Sequence, residues 1–377
     1  MTDQNADDLP LAGVRVLDLS RILAGPWCAQ VLGDLGADVT KVEHPVRGDD
    51  TRDWGLRTGA SNTSYFDSVN RNKSSVGIDL STPEGLARVR DMVRASDVVV
   101  HNFKTGGAEK LGLGYEDLKR ENPRLIYCSI TGYASNGAEA KRPGYDLLVQ
   151  GEAGLMAING EAERPPLKFG VAVVDLFTGQ YAAQAILAAL FKRERTGKGS
   201  LLELALFDCG LTVTSYYGLE ALVQGGDPPR FGNAHPSIVP YGVFEAADGP
   251  LVITVGNNAQ FRRFCETVIG RPDLPDDPRF ATNLERSRNR AALLPILKEA
   301  LSRRTRADLL AALRAEGIPS GEVLGLHEAL TSPRAREAQM VVERVDADGA
   351  ARHVLAPPYR IDGRRLPVRA LPPKLPG

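Results

Sequence analysis

Cysteine, histidine and net charge are all in short supply in this chain of 377 residues, and each shortage excludes something. The four cysteines, Cys28, Cys128, Cys209 and Cys265, lie too far apart for a CxxC or zinc-ligand spacing, and they make no disulfide framework. A reducing, cytoplasmic setting is therefore expected. His44, His101, His235, His327 and His353 stand singly, each more simply a surface or structural residue than a metal ligand. With 46 Lys and Arg against 47 Asp and Glu, the net charge of −1 gives no global field to attract nucleic acid or an anionic membrane, so neither is an expected partner. Any bound anion must meet a local cluster. No apolar run is expected to span a membrane, and the start, MTDQNADDLPLAG, is acidic and polar where a signal or transit peptide would be apolar or basic. Also missing are GxGxxG after a strand, GxxxxGK[ST], HExxH and GxSxG, which removes the usual support for nicotinamide, P-loop and serine-hydrolase chemistry.

What is present is a soluble composition, 43% hydrophobic, on a chain longer than one typical domain. Strand-like runs at 14–20, 38–44, 97–103 and 125–133, and one ending in Ile78-Asp79-Leu80, alternate with helical stretches at 25–35 and 83–95. For the second of these, Thr82 is the cap and Pro83 the first helical residue. The pattern predicts an α/β fold: a large, doubly wound, Rossmann-like parallel sheet whose ligands lie beyond Ser20, His44, Asn102 and Thr131. A long helix is expected over 176–195, closed by Thr196-Gly197-Lys198-Gly199. The Gly- and Pro-rich stretch GGDPPRFGNAHP reads as a linker. The large domain is thus expected to be discontinuous, 1–200 and 335–377, with 201–224 connecting it to a smaller α+β domain over 225–334. That smaller domain should hold a hairpin at 239–256 turning at Asp248-Gly249 and helices near 286–302 and 305–316. Short strands are expected over 340–377.

One residue stands out. Asp175 closes the apolar, strand-like run Gly170-Val171-Ala172-Val173-Val174 directly before the long helix. Two readings follow from position alone: a helix N-cap, or a carboxylate presented at the sheet rim as a nucleophile.

The segments LAGVRVLDLSRILAGPWCAQVLGDLGADVTKVEHP, DSVNRNKSSVGIDLSTPEG, HNFKTGGAEKLGLGYEDL, SITGY, RPGYDLLVQ, GVAVVDLFTGQYAAQAILAAL and RTGKGSLLELALFD resemble, in that order, the class III coenzyme A transferases. The likeness spans about residues 10–345. This family also includes formyl-CoA transferase, carnitine CoA-transferase and α-methylacyl-CoA racemase. The resemblance implies that Asp175 is the nucleophile, that no cofactor is held permanently, and that coenzyme A esters and small carboxylic acids are the substrates. It further implies that Gly256, Asn257, Asn258 and Gln260 belong to a glycine-rich loop shielding the site, and that Asp146 sits near the nucleophile. Arg21, Ala24, Asn102, Phe103 and Lys110 fall at positions that line the coenzyme A site, and Asn70, Arg71 and Lys73 fall in an NRNK signature suited to phosphate. Each has a plainer alternative as a turn, a surface cation or a structural group.

The racemase branch carries a histidine at the position of Tyr145 and a glutamate at that of Asn258, so both residues favour CoA transfer over racemisation. A protein that binds acyl-CoA without turning it over is the remaining alternative. AHPSIVPYGVFEAADGPLVITVGNNAQF, NRNKSS, CSITGY and GDDTRDWG resemble most the succinyl-CoA:glutarate (hydroxymethylglutarate) branch, which implies a dicarboxylic acceptor. Arg52, Arg71 and His235 are candidate partners for its second carboxylate. The family forms interlocked homodimers with the site at the domain boundary, and its members usually continue beyond Gly377 into a tail with a Gly-x-His-Thr stretch. Here LPPKLPG ends the chain.

Overall fold

The structure is a computed structural model describing residues 8–376; residues 1–7, the acidic part of the N-terminal segment, and Gly377 lie outside the described residues. Six strands form one sheet: β1 (Arg15–Asp18), β2 (Asp38–Glu43), β3 (Lys73–Gly77), β4 (Val98–His101), β5 (Ile126–Thr131) and β6 (Ser200–Ala205). All pairs are parallel, in the order β3-β2-β1-β4-β5-β6. Val98, Val99 and Val100 are fully buried, the continuous apolar run expected of a strand covered on both faces. The order reverses between β1 and β4, the switch point where doubly wound sheets take their ligands.

Two expectations need correction, one about a strand and one about a connection. β3 ends at Gly77, because the Asp79 carboxylate accepts from the Ser81 N–H (2.9 Å) and hydroxyl (2.7 Å) and closes a turn. Thr82 then caps the Pro83–Arg94 helix as expected. Residues 201–224 are no connecting segment: they supply the edge strand β6 and the helices Leu206–Val213 and Ser215–Gln224.

The long helix runs Val173–Thr196 and ends at Gly197 in the left-handed conformation (φ 70°). It therefore begins before Asp175, and two valines of the strand-like run, Val173 and Val174, lie in its first turn. A cap supplied from elsewhere and an alanine-rich continuation outweigh their β-propensity. Its buried face meets the Ala24–Asp34 helix so closely that a Cβ on Gly179 would lie 2.4 Å from the Ala24 carbonyl. By length and composition this helix could cross a membrane, contrary to the sequence expectation, yet Val174, Ala182, Ala183 and Ile186 are buried in the core.

The first compact unit runs to Met156, resumes over Lys168–Gly225 and closes from Ser332 onward. There the antiparallel strands β10 (Val341–Val345) and β11 (Ala351–Leu355) supply the short C-terminal pieces. The second unit comprises Ala157–Leu167 and Gly226–Thr331. Its antiparallel sheet, β7 (Tyr241–Ala246), β8 (Gly249–Thr254) and β9 (Ser320–Glu322), packs a core that includes Phe244, Ile253, Phe261, Phe264, Leu297 and Leu309. Ala246 pairs with Gly249, so the hairpin turns at Ala247-Asp248, one residue earlier than expected. The helices Arg290–Leu301 and Arg306–Ala315 lie within the expected spans.

Candidate active site

At the switch point the chain leaves β1 through Ser20-Arg21-Ile22. Asn102, just beyond β4, clamps this turn from both sides: its Oδ1 accepts the Arg21 N–H at 2.9 Å and its Nδ2 donates to the Arg21 carbonyl at 2.7 Å. Ile22 is forced into the left-handed region (φ 73°), which a β-branched residue rarely enters. Its N–H is shared by the two Asp49 oxygens, each at 3.3 Å. Burial alone would raise the Asp49 carboxyl, but the Lys41 ammonium at 2.9 Å and the donors of Thr51 outweigh it and hold it down at about 2. A permanently charged acceptor thus holds a strained turn.

That turn borders a cleft of about 280 Å³ lined by Arg21, Ala24, Asn102, Phe103, Tyr145 and Asp175 among others. Asp175 lies in the first turn of the long helix, where Ala172 offers no side-chain cap. The cap comes from Asp146: its Oδ1 accepts the N–H of Val174 (2.8 Å) and of Asp175 (3.2 Å). The other Asp146 oxygen accepts from Gln150 Nε2 at 2.6 Å, and Gln150 Oε1 takes the Phe169 N–H at 2.9 Å. Asp175 is therefore not the cap, which leaves its carboxyl free to face the cleft. Burial first, and the Asp146 charge second, push that carboxyl up to about 7. Tyr65 stands in the same field, its phenol raised by burial and then by the charges of Asp175, Asp146 and Asp49. Among the described residues no three His, Cys, Asp or Glu side chains gather as metal ligands.

Residues 11–377 match the sequence model described as CoA-transferase family III. The chain belongs to that family. It is 42% identical over 374 residues to the succinate–glutarate CoA-transferase of Agrobacterium fabrum, covering 98% of this chain and 91% of that protein. To the acetyl-CoA:oxalate CoA-transferase of Acetobacter aceti it is 38% identical, covering 89% and 86%. Among solved structures, a CaiB/BaiF family protein of Brucella suis superposes with a TM-score of 0.86 at 44% identity, covering 98% of this chain and 97% of that one.

Not every residue that the family resemblance nominated reaches the cleft. Asn70, Arg71 and Lys73 are buried and their polar groups are consumed internally. Lys73 Nζ donates to Asp18 (2.9 Å), the Pro26 carbonyl (2.8 Å) and Asn70 (2.9 Å), while Arg71 forks onto Asp34. In this family III chain the NRNK stretch is a brace beneath the sheet end, with the three Lys73 donors spent and Arg71 buried in its ion pair. Arg52 is likewise taken, its guanidinium meeting both Glu43 oxygens at 2.7 Å. Lys110 is exposed on the short Gly107–Lys110 helix and does not line the cleft.

On the second unit, the family's loop carries a single glycine. Asn257 caps the Asn258–Arg263 helix by accepting the Gln260 N–H at 2.9 Å, and Gln260 Oε1 accepts the Gly256 N–H at 2.8 Å. Asn258 accepts from the fully buried Arg286 at 3.0 Å. The side chains of Asn257, Asn258 and Gln260 are thus spent on shaping the loop. His235, also on this unit, accepts the N–H groups of Ser237 and Ile238 at its Nδ1, at 3.1 and 3.2 Å.

Sequence reasoning passed over Gln150, whose i,i+4 spacing from Asp146 was the available signal. It also passed over Lys104, Lys141 and Arg142, which line the cleft. A second cleft of about 250 Å³ shares Arg21 and Phe103 with the first and adds His44, Arg47 and Ser81 at the ends of β2 and β3. His101 backs the shared wall: its ring stacks on Phe103 at 5.1 Å, and burial holds it at about 4.

Proposed function

We propose that this family III transferase moves coenzyme A from succinyl-CoA, or a similar short dicarboxylyl-CoA, to a dicarboxylic acid such as glutarate, with Asp175 as the covalent nucleophile. The observation that carries the reading is Asp175 itself, a carboxyl with its affinity for protons raised, opening into a cleft at the sheet's switch point. The dicarboxylate assignment draws on the succinate–glutarate relative.

In the first step the Asp175 carboxylate oxygen attacks the thioester carbonyl carbon, the C–S bond breaks, and coenzyme A departs as thiolate, leaving a mixed anhydride. The thiolate then attacks the aspartyl carbonyl of the anhydride. The C–O bond breaks, the donor acid leaves as carboxylate, and an aspartyl-CoA thioester remains. An acceptor carboxylate attacks that thioester, expelling the thiolate and forming a second anhydride. Attack of the thiolate on the acceptor's acyl carbon releases the new acyl-CoA and restores Asp175. Each step passes through a tetrahedral oxyanion, whose stabilisation we assign to the start of the Ala24–Asp34 helix. That helix has no side-chain cap, and Leu23 and Ala24 line the cleft.

A coenzyme A ester exceeds a 280 Å³ cavity, so we place its nucleotide end in the second cleft, beside His44 and Arg47, with Phe103 and Arg21 between the two. Coenzyme A enters as substrate, with no permanently bound cofactor. The working form we assign is the family's interlocked homodimer. Its support is the exposed apolar surface of the Ser215–Gln224 helix, where Leu219, Leu222 and Val223 are 63%, 82% and 83% exposed. The four cysteines are all free, in keeping with a cytoplasmic setting.

The test is Asp175→Ala with succinyl-CoA and glutarate. Transfer should vanish, and hydroxylamine added to wild type held with succinyl-CoA should mark residue 175. Surviving activity, or no adduct there, overturns the covalent route. A scattering mass of one 40.6 kDa chain overturns the dimer.

A further inference from the structure

Two of the three candidate partners for a second carboxylate, Arg52 and Arg71, are buried in ion pairs with Glu43 and Asp34, and the third, His235, is not among the residues that line the Asp175 cleft. The cleft that holds Asp175 is nonetheless strongly cationic. Arg21, Lys104, Lys141 and Arg142 line it, and Asp175 is the one acidic residue among its lining. Two of the four are neutralised. Arg21 meets Asp50 at 3.3 Å, and Arg142 is held by Glu139 at 3.1 Å and by Glu152. Among the described residues Lys104 and Lys141 have no ion-pair partner, so they carry the uncompensated charge of the cavity.

The two lysines differ in place. Lys104 follows Phe103, which lines both clefts, although Lys104 itself, like Lys141, lines only the one that holds Asp175; what sets Lys141 apart is how its segment is mounted. Lys141 belongs to the segment 140–145, which lines only the Asp175 cleft. That segment is rigidly mounted. Gly144 lies against Gly132 at the end of β5, so closely that a Cβ on Gly144 would come within 2.4 Å of the Gly132 Cα. The Arg142 guanidinium also sits 5.0 Å over the Tyr133 ring, and Tyr133 donates its hydroxyl proton to Glu152 at 2.5 Å. One residue past the segment, Asp146 caps the helix bearing Asp175. A fixed wall therefore runs from the capped helix to a free ammonium within one cavity of about 280 Å³, a volume suited to the acyl end of the substrate.

We propose that Lys141 is the specificity-determining residue for the acceptor, pairing with the carboxylate at the end of the acid remote from Asp175. This rests on the transferase reading above. Lys141 is exposed at the rim of the cleft, so without a second carboxylate its charge stays solvated, and the preference comes from the pairing that a dicarboxylate gains.

The experiment compares glutarate with pentanoate as acceptors for wild type, Lys141→Gln and Lys141→Arg, with succinyl-CoA as donor. In a double-displacement reaction the acceptor's kcat/KM does not depend on the donor. Glutarate should lose at least tenfold more kcat/KM than pentanoate in Lys141→Gln, and Lys141→Arg should recover part of the preference. Equal losses for both acids, or no change, would overturn the assignment and give the charge to coenzyme A or to solvent. If wild type transfers coenzyme A yet does not prefer glutarate over pentanoate, this inference fails and the transferase reading stands. If wild type transfers nothing, the transferase reading fails, and calorimetric binding of glutarate to the CoA-loaded protein decides: loss in Lys141→Gln sustains the assignment, unchanged binding overturns it.

Discussion

Asp146 accepts the backbone N–H of Asp175 at 3.2 Å, so one carboxylate caps the helix that carries the other. The cap stabilises the helix start, and its charge makes Asp175 harder to ionise. Tuning and positioning thus come from one side chain.

The rate of the first half-reaction should therefore show an acid limb near pH 7, below which kcat/KM for the donor falls about tenfold per pH unit. In Asp146→Asn the amide oxygen still caps but the charge is gone, so the limb should move to lower pH. A limb at the same pH in both proteins would separate Asp146 from the ionisation of Asp175.

The raised Asp175 carboxyl also costs stability. Between pH 3.8 and about 7 the folded state keeps a proton that the unfolded chain has lost, so stability falls as pH rises through that window. Asp175→Asn removes the penalty. Its melting temperature should exceed that of wild type by a few degrees at pH 8, about 1–2 kcal/mol after allowing for the group's partial exposure, and the gap should close toward pH 4. Calorimetry at the two pH values checks it, and an equal gap at both would refute the linkage.

Lys73 and Asp18 are both fully buried at 2.9 Å. Lys73→Met leaves an unpaired carboxylate inside the protein and should cost ~3–5 kcal/mol in urea unfolding, while the double variant with Asp18→Asn should recover much of that loss. The acyl-CoA KM of folded Lys73→Met should stay within about twofold of wild type. A large rise in KM with little loss of stability would return Lys73 to the ligand.

Asn102→Ala removes both hydrogen bonds that clamp the Arg21 turn. The strained Ile22 then has one tether fewer, and the acyl-CoA KM should rise ~10-fold while stability falls by only ~1–2 kcal/mol. Asn102→Asp keeps one acceptor and should fall between the two. An unchanged KM in Asn102→Ala would show the turn to be held without it.

Much of this architecture was legible in the chain. Runs such as Val98-Val99-Val100 announce buried parallel strands, and Thr82-Pro83 announces a helix start, because both signals are local. The long helix was misjudged at its beginning because three valines imitate a strand while the cap, Asp146, lies 29 residues away from Asp175. The NRNK stretch deceived for the same reason. Its positive charges look available until the fold brings in Asp34, 37 residues before Arg71, and Asp18, 55 residues before Lys73. Charge is read from one position, whereas neutralisation is a property of two. Asp175 itself is legible from its neighbours only as an open choice between cap and nucleophile; the structure gives the cap to Asp146, and the nucleophile reading remains the proposal made above.

Gly132 and Gly144 meet backbone to backbone, with room for a side chain on neither. The wall they mount cannot retreat from or advance on the substrate without breaking the end of β5. A descendant of this protein seeking a different acid would have to exchange the side chains at 141, 142 and 145 and leave the main chain where it is. On the reading proposed above, the glycine pair fixes the main chain at the base of the wall and leaves substrate choice to the side chains that it presents.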